Sequence, residues 1–249
     1  MFGFRRVLSI AAVLCALGVT VLAAGPALAT TKPALRAGVP RLASATSSAF
    51  AGWVFGKTGS ATSTIEYKAP AITCGTAAQG VAPSNFVFSG KSSSPKEQAA
   101  GLLIACSSGQ KVYIPYLVIN GTETNLTKTV KAGDLIKLTV SAKTTKVSAT
   151  IADLTSGRTF SKTLTGAGSA ALQEQDGDGR VFVNGTVTPV IKFAKINFTK
   201  GAINSKPLAS VSPRQSVNMQ TGSTLQISTT ALTPSGSTGN AFTTVWHHH

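Results

Sequence analysis

Histidine is confined to the last three positions, His247, His248 and His249. Ser-His-Asp and Cys-His catalysis both need an imidazole to carry protons, so neither mechanism fits the body of this chain. Histidine-ligated zinc inside the domain is excluded on the same ground, and no metal or cofactor is expected. Carboxylates are the remaining acid-base groups: Glu66, Glu97, Glu123, Asp134, Asp153, Glu174, Asp176 and Asp178. Two of them facing each other across a cleft could hydrolyse a glycoside, an arrangement that spacing alone does not display. Asp134 and Asp153 adjoin turn-forming residues and are expected to be structural. Asp176-Gly177-Asp178-Gly179 is half a calcium loop without the later ligands or the closing glutamate, and a plain turn is expected there. Gly166-Ala167-Gly168-Ser169-Ala170-Ala171 matches a dinucleotide fingerprint only loosely and has no strand-helix-strand context.

The start of the chain sets the compartment. Arg5-Arg6, an apolar run from Val7 to Ala24, and Gly25-Pro26-Ala27-Leu28-Ala29 have the order of a cleavable signal peptide. Residues 1–29 are therefore expected to be removed, the product to start at Thr30 and to be secreted without a membrane span. The residues flanking Arg5-Arg6 match the twin-arginine export pattern poorly. Cys15 falls in the signal, which leaves Cys74 and Cys106 as an even pair in an oxidising compartment, and a disulfide between them is expected. Loss of Arg5 and Arg6 leaves 21 basic against 8 acidic residues, a net +13. Such a surface favours polyanions or serves solubility. The lysines are dispersed, aromatics are few and no nucleic-acid motif is present, so an anionic envelope polymer is a better partner than nucleic acid. Four Asn-x-Ser/Thr triplets begin at Asn120, Asn125, Asn184 and Asn197 and matter only in a host that glycosylates.

The elements that must position these groups read as strands. Residues 30–48 form a flexible lead-in, residues 49–246 one domain, and residues 247–249 a tail. Leu135 to Val140 and Val147 to Ile151 alternate apolar and polar with period two, as half-buried antiparallel strands do. Lys131-Ala132-Gly133-Asp134 and Thr155-Ser156-Gly157-Arg158 supply turn residues between such runs. Only Pro95 to Ile104 has modest helical character. The sum is an all-β, two-sheet antiparallel β-sandwich, expected to be a monomer.

An ordered series of segments then carries a family resemblance: Phe50-Ala51-Gly52-Trp53, Gln98-Ala99-Ala100-Gly101, Val130 through Val140, and Ala149 through Gly157. Over about residues 49 to 200 the chain resembles the eqolisin, or glutamic peptidase, family. The Gly133-Asp134-Leu135-Ile136 strand entry and the Asp153-Leu154-Thr155-Ser156-Gly157 hairpin are its most specific marks. The resemblance implies a secreted, concanavalin-like sandwich. It also implies a mechanism in which a glutamate activates water and a glutamine holds the water and the developing oxyanion, with no histidine. The family's glutamine precedes a Thr-Gly pair; here Ala99 holds that place and Gln98 lies one residue early. The family's glutamate stands in an Ala-Glu-aromatic segment, matched here at Ala171-Leu172 with Glu174 two residues on. Glu174 as base and Gln98 as oxyanion partner are the catalytic residues the resemblance implies, with Phe50, Trp53, Tyr113 and Tyr116 lining the substrate cleft. The altered positions lead to the expectation of an impaired peptidase that binds an extended peptide, a glycan or an anionic polymer. The alternative is an active glutamic endopeptidase.

Overall fold

A computed structural model describes residues 45–56, 59–75, 77, 79–91, 94–107, 109–127, 129–166, 171–183, 186–236 and 239–247. The segment expected to be a signal peptide, most of the expected lead-in, Asn184, His248 and His249 lie outside the described residues, and Glu174 is described by its backbone.

In chain order the strands are β1 (Ala45–Ser47), β2 (Phe50–Gly56), β3 (Ala61–Lys68), β4 (Ile72–Thr73), β5 (Gln79–Lys91), β6 (Ser94–Ser107) and β7 (Gln110–Ile119). Next come β8 (Thr122–Asn125), β9 (Leu135–Lys143), β10 (Lys146–Asp153), β11 (Arg158–Thr165), β12 (Ala171–Gly179), β13 (Phe182–Val183) and β14 (Thr186–Val187). The chain closes with β15 (Lys192–Phe193), β16 (Lys195–Ile203), β17 (Lys206–Pro207), β18 (Arg214–Thr221), β19 (Thr224–Thr229), β20 (Thr233–Ser235) and β21 (Gly239–Trp246). The first strand starts at Ala45, inside the stretch read as a lead-in, because it pairs in parallel with β18.

Pairing resolves these strands into two layers. The first sheet runs β8–β7–β6–β5–β12–β2–β18–β1. The second runs β11–β10–β9–β3–β16–β21. β19 pairs with β18 of the first and β21 of the second, so the layers are joined at that edge. The expected all-β sandwich is the fold observed.

The alternation read in the sequence sets which face is buried. Ile136, Leu138 and Val140 of β9, and Val147, Ala149 and Ile151 of β10, are all buried, and the residues between them are more open. They enter the main core between the layers with Phe55, Ile65, Val87, Leu102, Ile104 and Phe198. Fully burying each valine, leucine, isoleucine or phenylalanine among them stabilises the fold by about 1.5–3 kcal/mol. Asp134 Oδ2 accepts the Lys131 amide at 2.7 Å, and Asp153 Oδ1 accepts the amides of Thr155 and Ser156 at 3.0 and 3.1 Å. Both carboxylates thus hold the turns that begin or end these strands.

Two local readings are corrected. Pro95 to Ile104 is strand throughout, within β6. Its helical look arises because β6 is central and apolar on both faces: Ala100, Leu102 and Ile104 enter the main core, while Ala99 and Leu103 enter a second cluster on the outer side. Period two disappears when both parities are apolar. Asp176-Gly177-Asp178-Gly179 is not a turn but the end of β12, a central strand between β2 and β5. Its glycines are needed for close approach: a Cβ on Gly177 would lie 2.1 Å from the Ala51 carbonyl oxygen, and one on Gly52 would lie 2.1 Å from that of Asp176. Cys74 and Cys106 form the expected disulfide, which ties the segment after β4 to the end of β6 with Cα atoms 5.5 Å apart.

Candidate functional site

The first sheet has two faces, and strand parity assigns each candidate to one of them. One register row on the outer side reads Val118, Ala99, Phe86, Gln175 and Val54 across β7, β6, β5, β12 and β2. Phe50, Val54, Phe86, Phe88, Ala99, Leu103, Tyr116 and Val118 form the apolar cluster of that face. The row one residue along on β6 belongs to the inner face: Gln98 is registered with Val87, and Val87 in turn with Glu174 and Phe55 across β12 and β2. Val87 and Phe55 are main-core residues.

Gln98 is therefore interior, with no exposed surface. Its amide is consumed within the chain: Nε2 donates to Ser89 Oγ at 3.2 Å and to Asn120 Oδ1 at 2.9 Å, and Oε1 accepts the Asn120 backbone N–H at 2.8 Å. These bonds hold Asn120 in its left-handed conformation, φ 53°, at the β7–β8 turn. Ala99, at the place the resemblance gives to the glutamine, is on the outer face.

The four aromatic candidates divide between the faces. Phe50 and Tyr116 belong to the outer cluster and are buried there. Trp53 packs in the main core and donates its indole N–H to the Thr230 carbonyl at 3.1 Å. Tyr113 packs against the main core and donates its hydroxyl to the Pro70 carbonyl at 2.9 Å. Tyr116 lies over Gly101, with its Oη 2.6 Å from Ser84 Oγ; Ser84 gives its own proton to the Ala82 carbonyl at 2.7 Å, so Tyr116 donates. Burial pushes the Tyr116 phenol far above its ordinary range; the Ser84 bond lowers it in part, and Glu97 and Glu123 raise it further.

Glu97 and Glu123 are the acidic groups the outer face brings together. Glu97 precedes Ala99 by two residues on β6, the same parity, and Glu123 of β8 is registered with Val118. Glu97 keeps some surface, but its Oε1 is sealed from solvent and accepts no hydrogen bond. Burial first, and the neighbouring Glu123 second, push its carboxyl up to about 8. A carboxylic acid protonated near neutrality can donate a proton, which an ordinary surface glutamate cannot. In the sequence Glu97 is one carboxylate among eight, and only the parity of Glu97, Ala99 and Gly101 along β6 could have placed it on this face. Among the described residues no cluster of three His, Cys, Asp or Glu side chains is arranged to hold a metal. No helix among them is long and apolar enough to cross a membrane.

Comparison with known proteins agrees with the resemblance. The sequence pattern of the peptidase A4 family matches residues 57–244. No curated protein sequence matches the chain. Among solved structures, scytalido-glutamic peptidase bound to a transition-state analogue inhibitor superposes with a TM-score of 0.62 at 16% identity, covering 80% of this chain and 98% of that one. SCP-B, an eqolisin-family peptidase in complex with the tripeptide Ala-Ile-His, gives 0.60 at 16% identity over the same shares. Aspergilloglutamic peptidase from Aspergillus niger gives 0.51 at 18%, covering 67% of this chain and 99% of that one. At these identities the likeness is one of fold.

Proposed function

The chain belongs to the peptidase A4 family, and on that premise we propose that it is an exported glutamic-peptidase sandwich that has lost cleavage and binds an extended peptide where Gln173 and Gln175 leave the outer side of its first sheet partly open. One observation carries the reading: Gln98 is buried on the inner face with its amide satisfied internally, while Ala99 stands outward in its stead. An alanine has no group with which to hold water or an oxyanion. The partly open Gln173 and Gln175 of β12 supply amides on the outer face suited to a peptide backbone. A peptide is also what the solved relatives hold: a peptide-based transition-state analogue in one, Ala-Ile-His in another. An anionic polymer fits the basic remainder of the surface better than this face, where Glu97 and Glu123 stand. Secretion rests on the signal sequence and agrees with the disulfide.

Digestion of an acid-denatured protein substrate by wild type and by Glu174→Gln tests the loss of cleavage. No cleavage by either is expected; cleavage by wild type that disappears in Glu174→Gln would establish the active endopeptidase instead. Binding is read by fluorescence anisotropy of labelled unstructured peptides. A several-fold weaker affinity in Gln175→Ala is expected, and the absence of binding to any unfolded peptide overturns the claim.

A further inference from the structure

Asp176 and Asp178 project from the inner face of β12 into the space between the sheets, with no exposed surface. None of their four carboxylate oxygens accepts a hydrogen bond from the chain. No salt bridge among the described residues reaches them. The nearest cation in sequence, Arg180, gives Nη1–H to the Thr188 carbonyl and Nη2–H to Thr221 Oγ1 and Gln226 Oε1, and its buried Nε–H has no partner. Burying two carboxylates without a counter-charge is among the costliest arrangements a core can contain.

Two further groups, not acidic themselves, make this more than a pair of acids. Asn85 of β5 is directly registered with Asp176 and is fully buried. Its Nδ2 donates to Ser63 Oγ at 2.9 Å, and its Oδ1 has no partner. Thr244 of β21, in the opposite sheet, is fully buried, and its hydroxyl faces the Asp178 carboxylate, favouring the ionised form without closing a hydrogen bond of good geometry. Oxygen atoms from both layers therefore converge on the two carboxylates, and the Thr244 hydroxyl is no counter-charge for them.

We propose that Asp176, Asp178, Asn85 and Thr244 form a calcium-binding site sealed between the two sheets. The donor set is oxygen only, which selects a hard cation over zinc or copper. Two carboxylates balance one divalent charge. Calcium accepts irregular sets of carboxylate, amide and hydroxyl oxygens, whereas magnesium demands near-octahedral geometry and keeps its waters. Because the site is enclosed, the ion enters as the sheets close and leaves only when they part. Gly177 separates the two aspartates and lets β2 pack against β12 where a side chain would collide with the Ala51 carbonyl.

The test refolds the purified chain from guanidinium, disulfide intact, at pH 7.5 with calcium at roughly 1 mM, the affinity range of extracellular calcium modules, with magnesium instead, or with chelator. Bound metal is then counted by elemental analysis after desalting, and the thermal midpoint is measured. One retained calcium per chain and a midpoint raised by several degrees are expected, with neither in Asp176→Asn/Asp178→Asn. The double variant mimics the neutral acids and should fold without metal, so its failure to bind is separable from failure to fold. Retention of calcium by that variant overturns the proposal. So does a wild type that gains nothing from calcium, since the two aspartates are then held by protons alone.

Discussion

Gly101→Ala should destabilise the domain far more than a single methyl group suggests. A Cβ at this position would lie 2.5 Å from Tyr116 Oη, 2.6 Å from Ser84 Oγ and 2.6 Å from Tyr116 Cζ. Both neighbours are fully buried, and Ser84 is tied to the Ala82 carbonyl, so neither can swing aside into solvent. The tyrosine must retreat, and its hydroxyl then loses Ser84 where no water replaces it. An orphaned buried hydroxyl costs about 1–3 kcal/mol, and overpacking adds about 1–3 kcal/mol. The expected loss is therefore about 2–6 kcal/mol, read from the urea midpoint and slope in equilibrium unfolding with the disulfide intact. Tyr116→Leu removes two of the three colliding atoms and leaves Ser84 Oγ, so in that background the same glycine substitution should cost measurably less than in the wild type. A loss below about 1 kcal/mol in the wild-type background, or equal losses in both, would refute the reasoning.

Three other outcomes follow from the same geometry. In chelator, stability should fall as the pH rises from about 4 to above 8: burial holds Asp178 at about 7 and Glu97 at about 8 when folded, so the folded chain keeps protons that the unfolded chain releases near pH 4. Their contribution is complete below the unfolded values and disappears as the pH passes the folded ones; a midpoint that rises over this interval contradicts it. Gln98→Leu should cost about 2–4 kcal/mol in denaturant titration, since it strips Asn120 of partners for its amide and side chain. Cys106→Ser should lower stability by about 3–4 kcal/mol by the loop-entropy estimate for a bridge spanning 32 residues, a shift that matched unfolding curves would reveal.

The half-exposed strands were legible because one of their faces meets water: β9 and β10 alternate as read, and their turn aspartates cap the expected hairpins. The centre of the first sheet was not, because β6 and the end of β12 are buried on both sides and their composition loses the period that identifies a strand. For β12 the misreading went further, since Asp-Gly-Asp-Gly is turn chemistry when exposed and becomes strand only because β2 and β5 close on it. The Gln98 question turned on a single step of register. Its one-residue offset from Ala99 was visible in the sequence, but whether a bulge restored it depended on β5 and β7, which pair with β6 without interruption at that point. The Glu97–Glu123 pair needed the β7–β8 hairpin to bring together residues 26 positions apart, and no local pattern announces it.

The strand β19, shared by both layers, has a consequence for the order in which the protein can be made. β2 is completed by β18 and β3 by β16, and the hydrogen-bonded joint between the layers forms when β19 meets β21 at the end of the chain. A nascent chain that stops short of residue 195 can form the β5–β6–β7–β8 meander and the β9–β10–β11 hairpins and lay one on the other across the core, but it lacks β16 beside β3, β18 beside β2 and the β19–β21 edge. Contacts of such long range are entropically late. The two layers are thus locked together by main-chain pairing at that edge when the last segment has been synthesised.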